Sequence, residues 1–299
     1  PYRARPSAAK SALAASHIAL RQPAVVKRYG DQLWMDPAEP GAVEQTLAVV
    51  ADVLRRYDVD GVHIDDYFYP YPVNGADGQP LAFPDDPSWQ RHGPATASGD
   101  RSAWRRTNVD RLIERLYREV HALKPWVRVG ISPFGLPRPA NRPPGISGFS
   151  QYDTLYADVE RWVAEGWLDY LAPQLYWTSD DPPHAYGTLI EWWSSITTGG
   201  RHVFAGNYLS KLGSSAAWSL DEFQTQIELS REYAGQGSTG NIFFHVGPIL
   251  ANTEGVTDLL TSELYRTPAL TPAIAAITKR KMRWVCWCWR YSCAGTISA

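Results

Sequence analysis

Residues 59–72 read Val-Asp-Gly-Val-His-Ile-Asp-Asp-Tyr-Phe-Tyr-Pro-Tyr-Pro. A short apolar segment ends in two carboxylates and runs straight into aromatic rings and prolines. Successive side chains of a strand face opposite ways. If Val62 and Ile64 turn toward covering helices, His63 and Asp65 share the other face. Asp65 then stands at the strand end, where a carboxylate can attack or stabilise a sugar carbon. Asp66 points off that face, toward a loop or a sugar hydroxyl. Asp65 and Asp66 are the candidate catalytic pair, with Asp65 the stronger. Tyr67 and Tyr69 put flat, amphipathic rings beside them, suited to stacking on sugars, and His63 is a further substrate contact. The competing reading makes both acids caps of the following turn. His63-x-Asp65 also resembles half a metal site, but no further ligand is evident, so neither metal nor cofactor is expected.

The alternation test extends to the other strand-like runs. In 168–177, Leu171 and Leu175 face helices, which leaves Gln174 and Tyr176 on the inner face. Gln174 can donate to and accept from a sugar hydroxyl, and Tyr176 and Trp177 can stack on a ring. In 127–134, Gly130, Ser132 and Phe134 fall inward. Asn207 and Tyr208 lie near the end of a strand whose faces are mixed. For each amide the alternative is a buried group bonded to backbone. Glycoside hydrolysis usually needs two carboxyls, and no Glu ends the 127, 168 or 202 strands. Asp66, Asp153, Asp180, Asp181 and Glu254 remain as partners for Asp65, unless the partner lies on barrel strands missing from the N-terminal side. There is no G-x-S-x-G elbow, which disfavours a serine hydrolase. No G-x-G-x-x-G follows a strand, so a Rossmann dinucleotide site has no support.

The elements that must carry these residues alternate. Helical spacing predicts helices over 41–57, 104–123, 152–165, 186–196 and 220–233. Strand patterns fall at 59–65, 127–134, 168–177, 202–209 and 241–249. Repeated βα units imply an α/β fold with parallel strands. The expected architecture is a (β/α)8 TIM-barrel type, incomplete, with about five of eight strand–helix units present. The first strand or its neighbour would then have an unpaired edge. Long loops at 74–100 and 135–148 follow strand ends, on the rim where such barrels carry their sites. The expected domains are a partial barrel over 1–264 and an atypical tail over 265–299 outside the core. The tail holds a basic run, a Trp-rich run and all three cysteines, Cys286, Cys288 and Cys293.

Composition narrows the partners. The 299 residues are 44% hydrophobic and 20% charged, ordinary for a globular protein. A net charge of −2 offers no attraction to nucleic acid. No apolar run approaches the ~20 residues of a membrane span. The aromatics stand out, with 13 Trp and 16 Tyr against 8 Phe. The expected partner is a polysaccharide or oligosaccharide substrate, with the oligomeric state left open.

Taken together, several runs resemble the glycosyl hydrolase-like 10 family. They are Tyr57–Pro72 itself, Gly130-Ile-Ser-Pro-Phe-Gly135, Pro144-Gly-Ile146 and Trp167-Leu-Asp-Tyr-Leu-Ala-Pro-Gln-Leu-Tyr-Trp177. Leu33-Trp-Met-Asp-Pro37 also fits, and Pro1-Tyr-Arg-Ala4 is similar to the segment after that family's third barrel strand. The resemblance covers roughly residues 1–264. It implies a (β/α)8 barrel, secreted or attached to the bacterial envelope, acting on cell-wall glycan such as peptidoglycan strands. It also implies that strands one to three are missing from the N-terminal side. Asp65 matches the fourth-strand acid used as nucleophile by wider α-amylase-like relatives. The fifth strand departs from that pattern, because Gly130–Gly135 holds no acid.

Overall fold

The computed structural model describes residues 13–93, 99–197 and 199–269, together with the backbone of the strand Trp284–Cys286. The chain clusters into two units. One draws on Pro1–Tyr57, Asp66–Leu123 and Gln151–Val159, the other on Asp58–Asp65, Lys124–Ser150 and Glu160–Ala299.

In the first unit, β1 (Val26–Tyr29) and β2 (Gln32–Met35) form an antiparallel hairpin. Its two-residue turn places Gly30 at φ +57°, a conformation glycine adopts without steric cost. The Gly-Asp pair between the strands is a hairpin signal that helix-and-strand periodicity does not register. Helices Pro40–Arg56 and Arg101–Leu123 pack together. The second buries Trp104, Val109, Ile113, Leu116 and Val120 along one stripe, as the spacing predicts. The expected loop 74–100 contains a helix, Asp86–His92, started by proline in its first turn. Trp89 on that helix meets Trp104 edge to face at 5.1 Å.

Charge is buried in this unit too. Asp85 is fully buried and takes a two-pronged pair from Arg105, Nε to Oδ2 at 2.8 Å and Nη2 to Oδ1 at 2.7 Å. Arg101 adds a second guanidinium. Nearby in sequence terms, the Ser88 hydroxyl lies 2.5 Å from Asp36 Oδ2 and 2.6 Å from Glu39 Oε1. A hydroxyl has one hydrogen, so the two carboxyls compete for it. Burial pushes Asp36 up, whereas Ser88 and Arg91 hold Glu39 below its usual range despite its own burial.

The second unit is built on a parallel sheet. Its strands β3 (Gly61–Ile64), β4 (Arg128–Ile131), β5 (Tyr170–Leu171), β6 (His202–Asn207) and β7 (Ser238–Phe243) lie side by side in chain order. This is the α/β class expected, with a sequential parallel order compatible with part of a (β/α)8 barrel. A three-residue strand β8 (Trp284–Cys286) pairs in parallel with β3 on its other side. The β3 edge is thus paired over Gly61–His63. A bare edge offers a row of unpaired backbone groups, and Trp-Val-Cys is chemically fit to pair with it. The other tail residues from 270 onward lie outside the described residues.

Helix Tyr186–Ile196 buries Tyr186, Leu189, Ile190 and Trp193. Helix Leu220–Glu232 is capped by Ser219, whose Oγ accepts from the Glu222 amide, and buries Phe223 and Ile227. These join Leu209, Leu212, Val256 and Leu260 in one core cluster. Two expected elements change. The helix over 152–165 is broken into Gln151–Thr154 and Val159–Glu165 by Tyr156 at φ +56°. The Tyr156 ring is committed to Tyr69, and its hydroxyl accepts from Arg105 at 2.6 Å, which overrides the helical period. The strand over 168–177 shrinks to Tyr170–Leu171, because Pro173 has no N–H for the ladder. Pairing resumes only at Gln174, bridged to Phe134 on one side and Gly206 on the other.

Register places His63 beside Gly130, and Gly130 beside Tyr170. A Cβ on Gly130 would stand 1.8 Å from Tyr170 Cζ, so only glycine leaves room for that ring. Gly130→Ala is expected to cost about 3 kcal/mol, the upper end of overpacking penalties, read as a lower denaturant midpoint. An alanine variant as stable as the parent would contradict the described ring position.

Candidate active site

The inner face of the β3–β6 sheet carries a continuous hydrogen-bonded chain. His63, buried on β3, has Nδ1 2.7 Å from the Tyr170 hydroxyl and Nε2 2.7 Å from Ser132 Oγ. The His63 and Tyr170 rings stack at 5.5 Å across the gap that Gly130 leaves. One layer nearer the strand ends, Gln174 Nε2 donates to Asp65 Oδ1 at 2.8 Å and to the Ser132 carbonyl at 3.1 Å. Thus His63, Asp65, Ser132 and Gln174 share one face, as strand alternation predicts. Tyr170 joins them and was missed, although stepping back two at a time from Gln174 reaches it.

Burial governs the electrostatics of this chain. It lowers the pKa of His63 from 6.5 to about 4, so the imidazole is neutral in the folded protein near pH 7. Neutral imidazole has one donor and one acceptor nitrogen, which the Tyr170 and Ser132 hydroxyls can satisfy together. Among the described residues no group of three or more His, Cys, Asp or Glu is placed to hold a metal ion.

Around the strand ends lies an aromatic surface. Tyr176 and Tyr208 stack at 4.6 Å, both half-buried, and Phe244 lies 6.1 and 6.0 Å from them. Trp218 meets Tyr208 edge-on at 6.2 Å, and Lys211 Nζ sits 5.6 Å over its ring. Trp177 has His184 stacked on it at 4.2 Å and Phe134 against its edge at 5.6 Å. The following loop is anchored by Glu222, which accepts from the Ser179 amide at 2.7 Å and its hydroxyl at 2.8 Å. Trp218 and Lys211 lie on connections with no strand parity, and Phe244 follows the end of β7 at Phe243 although the strand pattern runs over 241–249.

Several candidates fall elsewhere. Asn207 faces the helices. It shares parity with fully buried Val203 and Ala205. Its Nδ2 donates to Tyr186 at 3.0 Å and to Gln226 at 2.8 Å, and its Oδ1 accepts from Asn241 at 2.9 Å. Tyr69, expected to bind substrate, is core of the first unit, with Phe83 at 5.2 Å and Tyr156 at 5.0 Å. Burial raises its pKa well above 10. Asp66 is buried in that unit and accepts a hydrogen bond from the Tyr71 hydroxyl, an orienting role rather than an open acid. Tyr67 is exposed and edges against Tyr71 at 5.7 Å. Of the other acids, Asp181 pairs with His184 at 2.9 Å, and Asp180 accepts from Thr178 at 2.8 Å.

The His63 shift has a pH consequence. Unfolded His63 takes its proton near pH 6.5, but the folded form takes it only near 4. Between those values the unfolded chain binds the extra proton, so stability falls as pH drops through this window and is full above it. The size is roughly 3 kcal/mol. Denaturant midpoints of parent and His63→Gln from pH 7 to 4 should converge by that amount. A constant difference across the window would refute a buried, neutral His63.

Residues 8–219 match the glycosyl hydrolase-like 10 family. The chain is 36% identical over 268 residues to "Glycosyl hydrolase YngK" of Bacillus subtilis (strain 168), covering 87% of this chain and 51% of that protein. It is 33% identical over 217 residues to "Glycosyl hydrolase DigH" of Escherichia coli (strain K12), covering 69% of this chain and 48% of that one. DigH of Shigella flexneri gives the same figures. The chain spans about half the length of the curated relatives it matches. The family match runs through the strand end at His63 and Asp65, the Ser132 segment and the Gln174–Trp177 run, and the chain belongs to the glycosyl hydrolase-like 10 family.

Proposed function

We propose that this chain forms part of a (β/α)8 barrel of a glycoside hydrolase, with Asp65 as its reacting carboxylate. The observation that carries the reading is the position of Asp65. It follows the last residue of a parallel strand, on the face of the bonded chain and at the end where such folds act. There it can attack the anomeric carbon or stabilise positive charge developing on it. Tyr176, Tyr208 and Trp177 supply ring surfaces for neighbouring sugars. The relatives' names support hydrolysis of glycosidic bonds as the activity of the whole protein. We assign as substrate a bacterial polysaccharide, the glycan strands of peptidoglycan, and as location the cell envelope or exterior.

A second reading is a glycan-binding barrel without catalysis. The rim favours it in one respect: residues 132–135, 174–177 and 207–209 contain no acid to protonate a leaving group. Incubating the full-length protein with glycan strands freed of stem peptides separates the two. Hydrolysis yields new reducing ends, and Asp65→Asn should lower their rate by about 10²–10³-fold with the fold intact. Asp66→Asn should cost much less activity. Glycan retention without new reducing ends would leave only the binding reading.

A further inference from the structure

The Gln174 amide reaches two oxygens, Asp65 Oδ1 and the Ser132 carbonyl, from a single nitrogen. A carbonyl oxygen carries no proton, and neither does an ionised carboxylate, so both can only accept. Turned over, the amide would present its own oxygen to both. The orientation is thus dictated by chemistry rather than by preference, and both N–H groups are used.

The residues behind that amide are held in turn. The Gln174 backbone N–H donates to Pro133 O at 3.0 Å. Its main chain bridges Phe134 on one side and Gly206 on the other. That approach is close: a Cβ on Gly206 would stand 2.7 Å from Pro173 O. Ser132 is fixed by its N–H on Ile64 O at 3.0 Å and by its hydroxyl on His63. His63 is fixed by Tyr170. The support for Gln174 therefore spans β3 to β6 and runs through the short segments just beyond the ends of β4 and β5.

We propose that Gln174 is a positioning residue, whose locked amide sets the plane of the Asp65 carboxylate and favours its ionised form. A hydrogen bond donated to a carboxylate stabilises the charged state over the neutral one. Asp65 is half-buried, and this amide is a fixed donor to its Oδ1. For a carboxylate that must be unprotonated to attack or stabilise a cationic carbon, orientation and ionisation are both required. The inference rests on Asp65 being the reacting group, and its test is chosen to fail separately from that reading.

The test uses the full-length protein with carboxyl-labelled aspartate, following the Asp65 carbon signal by NMR against pH. Gln174→Met keeps length and volume but removes the donor. Gln174→Asn keeps the amide but shortens its reach. The Asp65 midpoint should rise by roughly one pH unit in Gln174→Met, and by a smaller margin in Gln174→Asn. The acid limb of the kcat/KM profile should move the same way. A merely structural role would lower the melting temperature and leave the midpoint in place. A folded variant whose Asp65 midpoint matches the parent overturns the proposal. If Gln174→Met does not fold, the Gln174→Asn titration decides alone by the same criterion. If the parent releases no reducing ends, the hydrolase reading fails, while the titration still reports whether Gln174 governs Asp65.

Discussion

The site depends on one missing methyl group. Gly130 occupies the middle of a row in which His63, Gly130 and Tyr170 sit side by side on adjacent strands. With no Cβ in the centre, two rings can lie over a single backbone and meet, and the imidazole is carried out of water into a slot between two hydroxyls. That slot fixes Ser132, and Ser132 presents its carbonyl to the next layer. The carboxylate at the strand end is thus held by a stack of contacts that begins with an absence. Any side chain on residue 130 would push the Tyr170 ring aside and release His63, and the layer above would lose its floor.

The abundance of rings divides into two uses that composition alone does not separate. Trp104, Trp162, Trp193 and Tyr69 are fully buried and act as core volume. Trp193 Nε1 donates to Gly135 O at 2.9 Å, so the loop after β4 is held by a core residue. Tyr176, Tyr208 and Trp177 are only half-buried and lie at strand ends, where an apolar face remains available beside polar atoms. The difference is one of placement, since the same residue types serve both uses.

Much of this was readable in advance where a single rule applied. The alternation of strands and helices emerged from periodicity. The shared face of His63, Asp65, Ser132 and Gln174 emerged from parity, because each lies on or just beyond a strand with one plainly apolar side. Reading failed where two demands met at one residue. On β6 polar and apolar residues are mixed on both faces of the sequence pattern, so Asn207 carries little mark of which way it turns, and helix packing claims it. Tyr69 sits in a run that looks like a stacking surface, yet Phe83 and Tyr156, distant in sequence, enclose it. The break at Tyr156 and the shortness of β5 arise from a tertiary contact and a missing N–H respectively, and periodicity reports neither. The helix Asp86–His92 was hidden because seven residues in a proline-rich stretch are too few for a periodic signal.

The buried carboxylate of Asp85 has a consequence for how the first unit responds to its medium. At 0.1 M salt the screening length is about 10 Å, but screening requires that ions approach the charges. The Arg56–Asp52 pair, exposed on both sides, is open to that approach, and dissolved salt weakens it. Asp85 lies out of reach of counter-ions, between two guanidinium groups carried by the helix Arg101–Leu123. Brine therefore has little hold on the tie between that helix and the segment before Asp86–His92. Replacing Asp85 with a neutral residue would cut it, leaving Arg105 without its counter-charge.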